Sequence, residues 1–274
     1  MLASTSIPSF ENPPLPARLL SAANRHTRVL AWAVCMLAAL PLVVLASDAL
    51  TGQLGTNPLE RLLRTPARWA LILLLVVLCA TPMRQILAFG ARRCAMRFGR
   101  RPADWNWMIK LRRPLGLASF FYALTHVVLY LSLDLGFSWH ELANDLQSKP
   151  FILAGLAAFL LLVPLAITST DAWKHRLKRD WKRLHFLVYP AAILAALHFF
   201  WLTKPGVNDP YVYLTMLAVL LGYRIVVRCL RIRDPADVLG SGTVEMKLTD
   251  DSPERRLPGD KSTMTAGPDP SLQP

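Results

Sequence analysis

The sequence has few acidic residues, and its cysteines do not occur in pairs. Aspartate and glutamate together number 18, against 31 lysines and arginines. The four cysteines are scattered without a C-x-x-C spacing, which argues against an iron–sulfur cluster, a zinc site or a disulfide framework. There is also no G-x-G-x-x-G motif after a predicted strand, so the sequence does not predict a dinucleotide-binding domain.

Long apolar segments are what the sequence has instead. Hydrophobic residues make up 53% of the chain. A run of about 20 apolar residues matches the hydrocarbon thickness of a bilayer. The sequence therefore predicts an all-α polytopic membrane protein, with six transmembrane helices in a bundle. The six predicted spans are residues 29–46, 69–87, 115–135, 151–168, 186–202 and 211–227.

The distribution of positive charge predicts the topology. Residues 84–113 carry nine lysines or arginines and residues 174–183 carry six, with one acid in each stretch, whereas 133–150 and 203–210 carry one lysine each. Basic loops stay on the cytoplasmic side. Both basic loops and both termini are thus predicted to be cytoplasmic, and nothing in the pattern indicates nucleic-acid binding. Three arginines after the first span run against this rule: Arg61, Arg64 and Arg68.

The two ends of the chain differ in composition from its apolar middle. Residues 1–28 are rich in proline and lack the apolar core of a cleavable signal peptide. Residues 229–274 are rich in proline, glycine and charge, which predicts disorder. The predicted organisation is an N-terminal cytoplasmic extension (1–28), a six-helix transmembrane domain (29–228) and a disordered cytoplasmic tail (229–274).

Histidines are the ionisable residues that stand out within the predicted spans. An ionisable side chain in a spanning helix costs about 3 kcal/mol on insertion scales, so it is a functional candidate. His126, His185 and His198 belong to the third and fifth spans. A single such histidine is explained as well by an interhelical hydrogen bond as by ligation. The other three histidines lie in polar or basic flanks: His26, His140 and His175.

Depth along the helices groups the candidate residues into two levels. The third and fifth spans both start at basic loops, so they run parallel. At about 1.5 Å per residue, His198 lies ~20 Å beyond His185, and His126 lies ~21 Å beyond Arg112. His126 and His198 are therefore predicted at one level near the outer face, with Arg112 and His185 at another near the inner face.

Two levels of donors on facing helices predict one or two b-type haems. Haem takes axial ligands on opposite faces of the porphyrin, and imidazole is a common ligand. His126 and His198 form the predicted outer site. At the inner level His185 is the available ligand, and Arg112, a poor metal ligand, would pair with haem propionates. His185 and His198 differ in helical phase by ~140°, a mismatch that is tolerable because Pro190 can kink or locally rewind the helix.

Short motifs across residues 29–228 resemble the MsrQ (YedZ) family. These proteins are the haem-binding membrane subunits of the bacterial protein-methionine-sulfoxide reductase system and belong to the ferric-reductase-like transmembrane group. Two departures are RTPAR (64–68), where the family has histidine and glycine, and Pro190, where it has an aliphatic residue. In chain order the motifs are GTNP (55–58), RRPLGL (112–117), ALTH ending at His126, YLSLDLG (130–136), KPF (149–151), LAITST ending at Thr170, WKRLH (181–185) and LHFFW (197–201).

This resemblance implies a function. His126, His185 and His198 would hold haem iron, and the lack of a fourth histidine near Arg112 agrees with this branch of the group. The chain would transfer electrons across a bacterial inner membrane to a periplasmic molybdopterin enzyme of the MsrP type, which itself reduces methionine sulfoxide in oxidised proteins. The electron donor would be a cytosolic flavin reductase or the quinone pool, and FMN is associated with some family members.

Two other functions stay open on the sequence alone. One is a ferric or quinone reductase of the same group that acts without an MsrP-type partner. The other is a proton or solute pathway in which the histidines titrate as relays, and it needs no haem.

Overall fold

The computed structural model describes residues 15–96, 98–203 and 208–233 of the 274-residue chain. Within the described ranges every regular element is helical, which confirms the predicted all-α class. The predicted disordered tail beyond residue 233 and the first 14 residues of the predicted extension lie outside these ranges.

Ten α-helices occur in the described residues, together with two short segments of other helical type. A 3₁₀ turn at Pro102–Trp105 leads into α4, and a π-helical turn at Tyr130–Asp134 continues α5. The α-helices are α1 (Leu15–Arg25), α2 (Thr27–Leu50), α3 (Pro58–Arg93), α4 (Asn106–Lys110), α5 (Arg112–Leu129), α6 (Trp139–Ser148), α7 (Pro150–Ile167), α8 (Asp171–His185), α9 (Val188–Leu202) and α10 (Asp209–Arg233).

Among the described residues, five helical segments are long and apolar enough to cross a membrane: α2, α3, the stretch Pro102–Asp134 that contains α4 and α5, α7 and α10. The predicted fifth span corresponds to α9, which has 15 residues. At about 1.5 Å per residue it is ~22 Å long, short of the ~30 Å hydrocarbon core. It reaches the length of a span only together with α8, to which it is joined at a bend of 41°.

The break between α8 and α9 lies before Pro190 and not at it. Phe186 and Leu187 form the turn that separates the helices, and α9 begins at Val188. Pro190 therefore sits in the first turn of α9, where its missing N–H has no partner to lose. The expected kink at Pro190 is wrong, because His185 and His198 belong to two different helices and the bend at 186–187 changes their relative phase.

Small residues allow α7 and α9 to pack closely. Ala154 and Ala158 of α7 are buried, and so are Ala191, Ala192 and Ala196 of α9. In lipid the hydrophobic effect does not drive helices together, so association depends on close van der Waals contact and interhelical hydrogen bonds. The α3 helix adds larger side chains to the same core, including Leu71, Leu74, Leu75 and Leu78.

Buried hydrogen bonds attach α5 to its neighbours. Tyr122 donates its hydroxyl to the Ala38 carbonyl of α2 at 2.5 Å, and Ser119 donates to the Ala70 carbonyl of α3 at 2.8 Å. Such bonds are worth about 1 kcal/mol each within membranes. They fix the rotation of α5, and with it the direction in which His126 points.

The bundle has two ends with different structures. One end carries residues 51–57 and helix α6, and we call it the α6 end. The opposite end carries α8, and we call it the α8 end. The α5 and α9 helices both run from the α8 end to the α6 end, as the topology predicts.

Candidate functional site

His126 and His198 face each other at the α6 end of the bundle. His126 lies on α5 and His198 on α9, and their ring centroids are 6.3 Å apart with an angle of 63° between the ring planes. Both residues are partly buried. The structure thus brings together the two histidines whose matched depths the sequence predicts.

Each ring of the pair is held by a backbone carbonyl. His126 Nδ1 lies 3.0 Å from the Leu63 carbonyl oxygen of α3, and His198 Nδ1 lies 2.6 Å from the Phe151 carbonyl oxygen of α7. A carbonyl oxygen only accepts hydrogen bonds, so each Nδ1 must carry the proton and donate it. This leaves each Nε2 with a free lone pair, which is the tautomer that metal-ligating histidines adopt.

The separation of the two ring centroids leaves room for one iron ion between the histidines. Two metal–imidazole bonds of about 2 Å, plus about 1 Å from each ring centre to its nitrogen, place the centroids about 6 Å apart. Among the described residues, no group of three or more histidine, cysteine or acidic side chains comes together. A haem needs only two axial protein ligands because its porphyrin supplies the other four nitrogens. The donor set of the pair therefore fits haem.

Gly155 of α7 provides the space for the His198 ring. A Cβ built on Gly155 would lie 2.7 Å from His198 Nδ1 and 2.9 Å from its Cε1. Separations below 3.0 Å do not occur for real Cβ atoms, so a larger residue would force the imidazole or the helices to move. The ring lies on the backbone of α7 between this glycine and the Phe151 carbonyl one turn away.

His185 lies at the α8 end and does not join the pair. It is the last residue of α8, and its Nδ1 lies 3.0 Å from the Trp181 carbonyl oxygen. Its ring packs against the Trp181 indole at a centroid distance of 3.9 Å. The Nε2 atom is free by the same tautomer argument. Among the described residues, the ring that packs against His185 is the Trp181 indole and not another histidine.

Arg112 also lies at the α8 end, where α5 begins. Its Nε and Nη2 atoms are buried and have no hydrogen-bond partner in the described structure. It lies within electrostatic reach of two further arginines, Arg84 of α3 and Arg224 of α10, and of Tyr189 of α9. The sequence prediction named Arg112 alone. It missed the other two although both stand within predicted apolar spans, where any charged residue is a signal.

The arginines at the α6 end are all paired with acids. Arg61 bonds to Asp48, Arg64 to Glu60 at 2.9 Å, and Arg68 to Asp209 at 2.8 Å. All three arginines lie in the first turns of α3 and not in a loop between spans. Their ion pairs cancel the charge that runs against the topology rule.

The sequence matches known membrane proteins over most of this region. Residues 66–196 match the family described as ferric reductase like transmembrane component. The chain is 44% identical over 179 residues to the protein-methionine-sulfoxide reductase heme-binding subunit MsrQ of Xanthomonas axonopodis pv. citri (strain 306), covering 65% of this chain and 73% of that protein. It is 37% identical over 215 residues to the MsrQ protein of Ralstonia nicotianae, covering 77% and 90% respectively.

The chain belongs to the MsrQ family. It is accordingly a multi-pass membrane protein, as its apolar helices indicate. Several of the MsrQ-like motifs now have a structural place. The KPF motif contributes the Phe151 carbonyl to His198, and WKRLH contributes both the Trp181 indole and the His185 ring.

The YLSLDLG motif attaches α6 to the helix that carries His126. Tyr130, one turn beyond His126, donates its hydroxyl to Asp145 of α6 at 2.6 Å. Asp145 is buried and also pairs with Lys149 Nζ at 2.6 Å. The hydrogen bond from Lys149 lowers the pKa of Asp145 below its ordinary value, and the hydrogen bond from Tyr130 lowers it further by a smaller amount.

We expect Asp145 to hold α6 in place except at low pH. Because its pKa is lowered on folding, the carboxylate contributes stability above the unfolded value of about 3.9 and loses it as pH falls through the lower, folded value. Asp145→Asn should speed amide hydrogen exchange in α6 on the order of tenfold at neutral pH. The exposed Asp134→Asn is the control. Equal hydrogen exchange in α6 of both variants would contradict the role of Asp145 in holding α6.

Proposed function

We propose that this protein binds b-type haem between His126 and His198. On this basis it would be the membrane subunit that carries electrons across the bacterial inner membrane to a periplasmic molybdopterin methionine-sulfoxide reductase of the MsrP type. The observation that supports this most directly is the histidine pair, with its centroids 6.3 Å apart and both Nδ1 atoms on carbonyls. The two relatives described above are named protein-methionine-sulfoxide reductase heme-binding subunits.

The residues of the chain perform the binding and orientation. Bound haem would supply a one-electron carrier, whose potential depends on its axial ligands and its burial. His126 and His198 would provide two neutral imidazoles, each fixed in one tautomer by a carbonyl. Gly155 keeps the His198 ring against α7, and Tyr122 and Ser119 fix the rotation of α5.

The charge distribution supports the direction of transfer. The basic residues near α8 and in 84–113 favour a cytoplasmic location for the α8 end. The histidine pair would then lie near the periplasmic face, close to an acceptor there. At the α8 end His185 would hold a second haem and Arg112 its propionates, and a cytosolic flavin reductase, FMN or the quinone pool would deliver electrons.

This function can be tested by following haem reoxidation in lipid vesicles. The protein is reduced, and an MsrP-type enzyme is added together with a protein that contains methionine sulfoxide. We expect the reduced haem spectrum to decay only when both are present. The exposed-site variant His140→Ala should behave like the unmodified protein.

A ferric or quinone reductase would behave differently in the same vesicles. Reoxidation by ferric chelate or by a quinone, with no response to the MsrP-type enzyme and its substrate, would contradict the proposed acceptor. The haem-binding part of the proposal would survive that result.

A further inference from the structure

The α8 end holds three arginines within the bundle that face no acid in the described structure. Arg84, Arg112 and Arg224 come from α3, α5 and α10. Arg224 bonds to the Leu78 carbonyl of α3, and Arg112 lies within electrostatic reach of both other arginines. None of them takes part in an ion pair among the described residues. At the α6 end, by contrast, Arg61, Arg64 and Arg68 each have a carboxylate.

The hydrogen bonds of the three arginines leave several donors unused. Arg84 Nη1 donates to the Asn106 amide oxygen at 2.8 Å. Arg224 donates to the Tyr189 hydroxyl and, at 2.7 Å, to the Leu78 carbonyl. The Nε atoms of all three arginines, and Nη2 of Arg112, are buried without a partner. Arg112 has no hydrogen bond to the protein through either buried nitrogen.

Three guanidinium groups arranged in this way are costly without an anion. Each carries a positive charge and repels the other two, and their buried nitrogens without a partner have lost water without gaining a hydrogen bond. Guanidinium binds carboxylate and phosphate oxygens through paired N–H groups. A group with two negative charges would satisfy several of the free donors at once.

We propose that Arg84, Arg112 and Arg224 form a binding site for the acidic arm of a cofactor, either a pair of carboxylates or a phosphate ester. Arg112 is already proposed to pair with haem propionates, and Arg84 and Arg224 would add two further cations to that site. Tyr189 positions Arg224, whose guanidinium carbon lies 5.1 Å from the centre of the Tyr189 ring. If the ligand is a pair of carboxylates, they are the propionates of a haem held by His185, and this alternative rests on the proposed function. If the ligand is a phosphate ester, it belongs to a flavin mononucleotide, and this alternative does not depend on haem binding by the histidine pair.

The test compares the Arg112→Met variant of the full-length protein with the unmodified full-length protein. Methionine keeps similar volume, and since Arg112 has no protein partner at its buried nitrogens, we expect the variant to fold. Arg84→Gln is a second variant on another helix. Arg68→Met, at the α6 end, is the matched control, because its arginine is already paired with Asp209.

Two measurements distinguish the two sources. If haem propionates bind here, the site variants should lose haem per protein, or one haem component should titrate at a more negative midpoint potential because a nearby cation has gone. If a phosphate ester binds here, FMN affinity by fluorescence quenching should fall about tenfold or more, with riboflavin affinity unchanged and inorganic phosphate competing in the unmodified protein.

The proposal is overturned if the site variants match the control in haem content, midpoint potentials and FMN affinity. A normal haem spectrum in the unmodified protein alongside that result would leave the proposed function intact and remove only the anion site. Absence of haem from the unmodified protein would instead contradict the proposed function. The FMN measurement would then still show whether the arginines bind a phosphate ester.

Discussion

Replacing either His126 or His198 with alanine is expected to remove the haem at the α6 end. Alanine offers no nitrogen, and no third histidine lies close enough to replace the lost ligand in the described structure. Loss of an axial ligand leaves the iron five-coordinate and weakly held, so haem content at this site should fall about tenfold or more. The measurement is haem per protein by pyridine haemochrome assay after purification in mild detergent.

Matched histidine variants separate ligation from general damage. His140→Ala and His175→Ala change exposed residues and should keep full haem content. His185→Ala should spare the α6-end haem and remove only a haem at the α8 end. Full haem content in both His126→Ala and His198→Ala would show that the pair is not the ligand set.

Gly155→Ala is expected to be nearly as damaging as loss of a ligand. The new methyl group would lie 2.7 Å from His198 Nδ1, where the ring now bonds to the Phe151 carbonyl. The ring must then move off that carbonyl, or α7 and α9 must separate. Loss of such an orienting contact lowers metal affinity by about 10- to 100-fold. Haem retention during dilution and the position of the Soret band measure the effect.

Gly90→Ala provides the control for this substitution. A Cβ on Gly90 of α3 would meet nothing within 4 Å. Alanine stabilises a helix interior by about 1 kcal/mol relative to glycine, so this variant should be as stable as the unmodified protein or more so, with full haem. If Gly155→Ala also retained haem with an unchanged spectrum, the close contact between α7 and the ring would not matter for binding.

Much of the fold could be predicted because it depends on local composition. Apolar runs of bilayer length and the positions of basic loops decide which segments are helical and in which direction they run. The approach of His126 and His198 followed from counting residues along two parallel helices. That prediction needed only the rise per residue and the loop charges.

Other features could not be predicted because they depend on packing between distant segments. Gly155 gives no signal in the sequence, and its role appears only when α9 places His198 against α7. The separation of α8 from α9 at Phe186 and Leu187 is likewise a tertiary feature. Arg84 and Arg224 carried a usable signal, a charge inside an apolar run, but nothing local showed that they meet Arg112.

The most direct test of haem binding is the visible spectrum of the purified protein, oxidised and then reduced with dithionite. We expect a Soret band that shifts on reduction and sharp α and β bands, since two neutral imidazoles make the iron six-coordinate. A colourless protein that also fails to take up added haemin would contradict the account and favour a proton or solute pathway through the histidines.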